Sequence, residues 1–146
     1  MSAVASAVAL KIDHIGVAVE DLEASLAYYC QDLGYRWEGV VLTDPLQMVR
    51  LTFVHPPGGG IKFELLQPTA PASPLAGSLR RRIRFVHVCY EVDDLQQALD
   101  RFVAQGGRVI SEPQPGAAFQ GRRAAFVFTR DREVIELAES RDGRTA

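Results

Sequence analysis

The feature that most constrains this chain is an internal repeat with an offset of 73 residues. At that offset, "KIDHIGVAVEDLEASL" overlies "RFVHVCYEVDDLQQAL", and the identical pairs are His14 with His87, Val19 with Val92, Asp21 with Asp94, Leu22 with Leu95 and Leu26 with Leu99. Each copy has the pattern of a strand, then a helix, then a run of further strands. The chain is therefore predicted to fold as two similar modules that share a core.

In the first copy, an extended β-branched segment at residues 11–19 is followed by a helix. Glu20 and Asp21 are typical of a helix N-cap, and the helix is expected to run to about Leu33, where Gly34 ends it. Three further strands are predicted near residues 35–42, 48–55 and 61–67.

The second copy repeats this order, with a strand at 84–92, a helix at 95–105 and strands near 108–111, 122–129 and 133–139. A proline-rich segment joins the copies, and Ser73-Pro74 is expected to start a linker helix at about 74–82. The predicted fold class is α+β: one domain over residues 1–146, made of two tandem βαβββ modules at about 11–68 and about 84–139.

Strand alternation places His14 on the same face as Gly16 and Ala18, which leaves open space beside the imidazole. The last strand of each copy, "KFELLQP" or "VIELAES", carries an acid between apolar residues. These acids, Glu64 and Glu136, are 72 residues apart, within one residue of the histidine offset. Each module thus supplies one histidine and one glutamate.

A single strand histidine is more often a hydrogen-bonded core residue, and a single acid in an apolar strand more often faces water. Here both features recur in the same register, and a buried unpaired carboxylate is costly. A divalent metal held by His14, Glu64, His87 and Glu136 would satisfy all four groups. Such a mixed nitrogen and oxygen set suits zinc, nickel, cobalt, manganese or iron, with positions left for water or substrate.

Four segments carry a resemblance to a known family: "DHIGVAVEDLEASLAYY", "FELLQPTAPASPLAGSL", "HVCYEVDDLQQAL" and "RVISEPQPGAAFQGRRAAF". At these segments the chain resembles the vicinal oxygen chelate superfamily of glyoxalases, bleomycin resistance proteins and dioxygenases, and within it the methylmalonyl-CoA epimerases. The resemblance implies a cupped mixed sheet with helices on the outside, a homodimer and a small-molecule substrate such as a CoA thioester. It also implies that Glu136 is both a metal ligand and a catalytic proton-transfer group.

One departure from that resemblance concerns the general base. The epimerases carry a catalytic glutamate at a position that aligns here with Leu46 or Gln47, and neither can act as a base at neutral pH. The resemblance therefore implies an isomerase that stabilises an enediolate, with two alternatives left open. These are another metalloenzyme of the superfamily, such as a glyoxalase-like lyase or a tailoring enzyme of secondary metabolism, and a non-catalytic binding protein.

Strand parity adds expectations about the substrate. Arg50 and Thr52 are expected to face the cup and bind substrate, and Phe126 and Phe128 to form its walls.

Composition limits the partners and the location. The net charge of −2 argues against nucleic acid, and the absence of a long apolar run argues against a membrane span. The first ten residues lack a basic stretch, so no signal peptide is expected. The two separated cysteines fit a reducing compartment, and the expected location is the cytoplasm.

Overall fold

The computed structural model describes residues 10–141, and within that range the chain forms one mixed sheet of nine strands with three α-helices. The strands are β1 Lys11–Ala18, β2 Arg36–Trp37, β3 Leu42–Asp44, β4 Val49–His55, β5 Lys62–Pro68, β6 Phe85–Val92, β7 Arg108–Pro115, β8 Arg123–Phe128 and β9 Val134–Glu139. The helices are α1 Leu22–Ala27, α2 Pro74–Arg80 and α3 Leu95–Ala104. The first ten residues, for which no signal peptide is expected, lie outside the described residues except for Leu10.

The sheet has two halves that repeat the same arrangement. The strand order is β2-β4-β5-β1-β6-β9-β8-β7, with β3 paired to β4. In each half the first strand pairs in parallel with the last, β1 with β5 and β6 with β9, and the antiparallel pairing of β1 with β6 joins the halves. The predicted α+β class, a cupped sheet built from a tandem repeat, is confirmed.

Two elements of the first module differ from the sequence prediction. The first helix is an α-helix only over α1, where Asp21 accepts a hydrogen bond from the Ala24 backbone, and it continues as a π-helical turn over Tyr28–Asp32. The strand expected at 35–42 is divided into β2 and β3, because Gly39 between them has a positive φ of 85° that interrupts extended backbone.

The core lies on both faces of the sheet. Below α1, Val17 of β1 and Val19, which follows β1, pack with Leu22, and α3 covers an equivalent cluster in the second half. The other face carries His14 and is called the inner face here; at one end of it Leu75 of α2 packs over Ala18, Leu51 and Leu66. The helices α1 and α3 therefore cover the outside and leave the middle of the inner face to the candidate site.

No helix among residues 10–141 has both the length and the apolar character needed to cross a membrane.

Candidate metal centre

Four side chains converge at the middle of the inner face, one from each of the central strands. They are His14 on β1, Glu64 on β5, His87 on β6 and Glu136 on β9, and all four are buried. One potential ligand atom of each lies within 4.8 Å of the others. The two histidines and two glutamates singled out from the sequence are thus brought together in one cluster.

The distances within this four-residue cluster are short and nearly equal. His14 Nε2 lies 3.2 Å from Glu64 Oε1 and 3.4 Å from Glu136 Oε1. His87 Nε2 lies 3.5 Å and 3.3 Å from the same two oxygens. The two Nε2 atoms are 3.4 Å apart. Each carboxylate therefore directs one oxygen at both imidazoles, and the four donor atoms surround a single point.

Strand register explains why these side chains meet. Glu64 pairs with Gly16 across β1 and β5, and Gly16 in turn pairs with His87 across β1 and β6. At the equivalent place in the second half, Cys89 pairs with both Glu136 and His14. A glycine and a cysteine thus occupy the centre of the sheet and leave room for the larger donors on either side.

Asp13, the residue before His14 on β1, also contacts the cluster, although strict alternation would direct it to the opposite face. The register of β1 against β6 shifts between Ile12 and His14, so that Asp13 is the extra residue of a β-bulge. A bulge can redirect a side chain, and Asp13 Oδ2 lies 2.8 Å from His14 Nδ1. A prediction from the alternation of side chains assumes regular strand pairing. Because nothing in the sequence indicates the bulge, this contact could not be predicted.

The electrostatics of the cluster favour charged groups. Burial alone would raise the pKa of Glu64, but the two histidines lower it from 4.5 to about 2. Burial alone would lower the pKa of His87, but Glu136 and Glu64 raise it from 6.5 to about 9. The pKa of His14 is also raised, because Glu64 and Asp13 outweigh its burial, and that of Glu136 is lowered by both histidines despite its burial. Positive charge is thus strongly favoured at the centre of the cluster.

The donor set fits a divalent cation. Once the imidazole protons leave, two neutral nitrogens and two anionic oxygens face one another, and within residues 10–141 no side-chain cation lies between them. A divalent ion would neutralise both carboxylates and accept all four lone pairs.

Aromatic rings surround the donors. Phe53 lies edge-on to His14 at 5.3 Å between centroids, Phe119 stacks on the same imidazole at 6.0 Å, and Phe126 lies edge-on to His87 at 5.3 Å. Phe126 thus borders the cluster, as strand parity suggested. Phe128, two residues further along β8, lies under the Arg108 guanidinium at 5.7 Å and makes no ring contact with the cluster among the described residues. Phe53 and Phe119 were missed by the sequence analysis.

Arg50 and Thr52 do not join the cluster, although parity suggested that they face the cup. Arg50 is paired with Glu23 on α1 at 2.6 Å, and Thr52 is fully buried, accepting from the Trp37 indole and donating to the Val40 carbonyl. The prediction that these two residues face the cup is therefore wrong, because the side chains of β4 have the opposite phase. Phe53 is the member of β4 that meets His14, so its neighbours point to the helix side.

The position that aligns with the epimerase glutamate lies in a turn over residues 44–47, and hydrogen bonds to Asp44 hold this turn together. Asp44 Oδ1 accepts from the backbone N–H of Leu46 at 2.9 Å, and Asp44 Oδ2 accepts from the Gln47 amide at 2.9 Å. The Leu46 side chain is 62% exposed. Both oxygens of Asp44, the nearest acid in sequence, are therefore engaged in the turn.

Comparison with known proteins identifies a family and relatives that the chain resembles. The model of the Glyoxalase/Bleomycin resistance protein/Dioxygenase superfamily matches residues 13–126. The chain is 34% identical over 123 residues to an ethylmalonyl-CoA/methylmalonyl-CoA epimerase of Cereibacter sphaeroides. The aligned residues cover 83% of this chain and 90% of that protein.

Two solved structures have the same fold. Methylmalonyl-CoA epimerase from Mycobacterium tuberculosis superposes with a TM-score of 0.78 at 29% identity, covering 95% of this chain and 92% of that one. A Streptomyces coelicolor methylmalonyl-CoA epimerase variant in complex with 2-nitronate-propionyl-CoA superposes with a TM-score of 0.76 at 25% identity, covering 90% and 97%.

Proposed function

The chain belongs to the glyoxalase/bleomycin resistance protein/dioxygenase superfamily, and we propose that within it the protein is a divalent-metal-dependent epimerase of a 2-carboxyacyl-CoA thioester, of which methylmalonyl-CoA is the type. The observation that carries the proposal is the convergence of His14, Glu64, His87 and Glu136 within 4.8 Å of one another. The similarity to epimerases over most of the chain supports the substrate class.

The four clustered side chains are proposed as the ligands of one ion, which is zinc, nickel, cobalt, manganese or iron. When bound, such an ion supplies Lewis-acid stabilisation of the negative charge that develops on substrate oxygens as an α-proton leaves. The protein's part is to hold the donors in place and to surround them with Phe53, Phe119 and Phe126. This apolar shell would limit the water in contact with the donors and strengthen electrostatic interactions with the substrate.

Proton transfer is assigned to the two glutamates. Oε1 of Glu136 faces the imidazoles, which leaves Oε2 to accept the substrate α-proton. The C–H bond breaks, an O–H bond forms on Glu136, and the electron pair remains in the enediolate. Glu64 has the same relation to the imidazoles in the other half of the repeat, and it carries a proton from solvent to the opposite face. This assignment takes the place of a base at Leu46 or Gln47.

A second candidate is another metalloenzyme of the superfamily, such as a glyoxalase-like lyase. The observation that favours it is the turn at Leu46 and Gln47, which lacks the acid expected of an epimerase. The same proton transfer by glutamate would serve an α-hydroxy thioester, so the two candidates differ in substrate and share their chemistry.

The remaining parts of the proposal rest on family likeness and composition. A homodimer and a cytoplasmic location are proposed on these grounds, with a small-molecule CoA thioester as the partner. The whole chain, residues 1–146, is proposed as a single domain.

The deciding experiment measures loss of the α-proton of methylmalonyl-CoA in deuterated buffer, followed by proton NMR. The metal-loaded protein is expected to exchange the proton and to interconvert the epimers, and treatment with a chelator is expected to stop both. Absence of exchange by fully loaded protein would reject the epimerase and leave the second candidate, which is tested by the same method on an α-hydroxy thioester.

A further inference from the structure

The bulge residue Asp13 makes one of the shortest polar contacts of the candidate centre. Its Oδ2 accepts from Nδ1–H of His14 at 2.8 Å, while Nε2 of the same imidazole faces Glu64 and Glu136. A histidine that donates one ring N–H to a carboxylate is fixed in both tautomer and orientation, and its other nitrogen becomes a stronger donor to a metal.

Asp13 is itself held in place from two other elements. Its Oδ1 lies 3.3 Å from Nη2 of Arg141, after β9, and its Oδ2 lies 4.0 Å from Nζ of Lys62 on β5. The Asp13 side chain is only 7% exposed. These two cations compensate for the burial of the carboxylate and fix it against the imidazole.

Among the residues that the structure describes, the second half of the repeat has no equivalent of this contact. Shifting by 73 residues places Val86 where the first half has Asp13, so no acid precedes His87. The two imidazoles are therefore unequal, and only His14 has an acidic neighbour in the chain that sets its tautomer.

We infer that Asp13 is a positioning residue of the metal centre, which orients His14 and raises its affinity for the ion. This inference rests on the proposed metal site. Asp13 acts through His14 and does not itself face the point that the four donors surround.

The test is cobalt binding by the full chain, measured by competition with a chelator and by the visible absorption of the bound Co²⁺. The variants are Asp13→Ala, which removes the acceptor, and Asp13→Asn, which keeps an oxygen for Nδ1–H without the charge. The matched control is Glu91→Gln, because Glu91 accepts from the Arg141 backbone at 3.1 Å and lies 3.9 Å from its guanidinium. It shares the Arg141 partner of Asp13 and, among the described contacts, has none with His14.

Asp13→Ala is expected to weaken cobalt binding about 10- to 100-fold and to alter the absorption spectrum, as for other outer-shell partners of metal-bound histidines. Asp13→Asn is expected to weaken binding less and to restore the spectrum in part, and Glu91→Gln to bind as the original protein does. Equal affinity and spectrum in the original protein and Asp13→Ala would overturn the inference. So would a loss in Glu91→Gln that matches the loss in Asp13→Ala. If the original protein bound no cobalt at all, the proposed metal site would fail and the inference with it.

Discussion

Gly16 of β1 lies directly opposite His87 of β6, and the imidazole occupies the space where a side chain at residue 16 would stand. A Cβ built on Gly16 would lie 2.6 Å from Nδ1 and 2.8 Å from Nε2 of His87. Both distances are shorter than real Cβ contacts, and the neighbour is a rigid ring in the middle of a sheet. The absence of a side chain at residue 16 is therefore a condition for His87 to point at the other donors.

Replacing Gly16 by alanine is expected to displace His87 from the cluster. Metal affinity should fall by at least 10-fold, and the free energy of unfolding should fall by about 1–3 kcal/mol through overpacking. Isothermal titration with Co²⁺ and thermal unfolding measure the two effects. The control is Gly58→Ala, since a Cβ at Gly58 meets nothing within 4 Å. Unchanged metal affinity in Gly16→Ala would contradict the placement of His87.

Replacing each glutamate by glutamine is expected to separate proton exchange from epimerisation. Glutamine keeps a donor oxygen but cannot accept a proton. Glu136→Gln should lose both activities by at least about 10²-fold, the contribution of a general base. Glu64→Gln should still exchange the α-proton while interconverting the epimers far more slowly. Proton NMR in deuterated buffer, combined with chiral analysis, reports both rates, and equal losses in the two variants would refute the division of roles.

The metal-free protein is expected to be most stable in mildly acidic solution. The raised pKa of His87 adds stability that is complete below 6.5 and is lost as pH rises through about 9. The lowered pKa of Glu64 adds stability that is present above 4.5 and is lost as pH falls toward 2. Bound metal displaces the imidazole protons, so the gain in Tm on adding metal should increase with pH. Thermal unfolding with and without Co²⁺ between about pH 5 and about pH 9 measures this gain. A gain that decreases with pH would contradict it.

Truncation of Phe119 is expected to expose the donors. This ring is 3% exposed and packs on His14 and Cys89. Phe119→Ala should cost about 3–5 kcal/mol of unfolding free energy. It should also accelerate the loss of bound Co²⁺ to a chelator, followed by absorption. Phe85→Ala is the control, because Phe85 is 66% exposed. Identical rates of metal loss in the two variants would show that Phe119 does not cover the site.

The parts of the fold and site that the sequence predicted are those that depend on the repeat. The duplicated histidine and glutamate are visible at fixed spacing, and the repeat predicts that each half contributes the same pair of donors. The clustering of Glu64 with Glu136 follows from the parallel pairing of first and last strands in each half, which the repeat makes equivalent.

The parts that the sequence did not predict depend on irregular backbone. The bulge at Asp13 allows its carboxylate to contact His14, and on β4 it is Phe53, and not Arg50 or Thr52, that faces the cluster. Phe119 belongs to a 3-10 turn over Ala117–Phe119, outside any strand, so no periodicity could direct its ring to His14. Such positions are set by tertiary packing.

The bulge at Asp13 makes the two sides of the candidate centre unequal for any ligand that approaches it. Two separate, identical half-chains would present the same surroundings on both sides of a central ion. A single continuous chain carries an aspartate on one side and Val86 on the other. An approaching ligand would thus meet a carboxylate behind one imidazole and an aliphatic side chain next to the other.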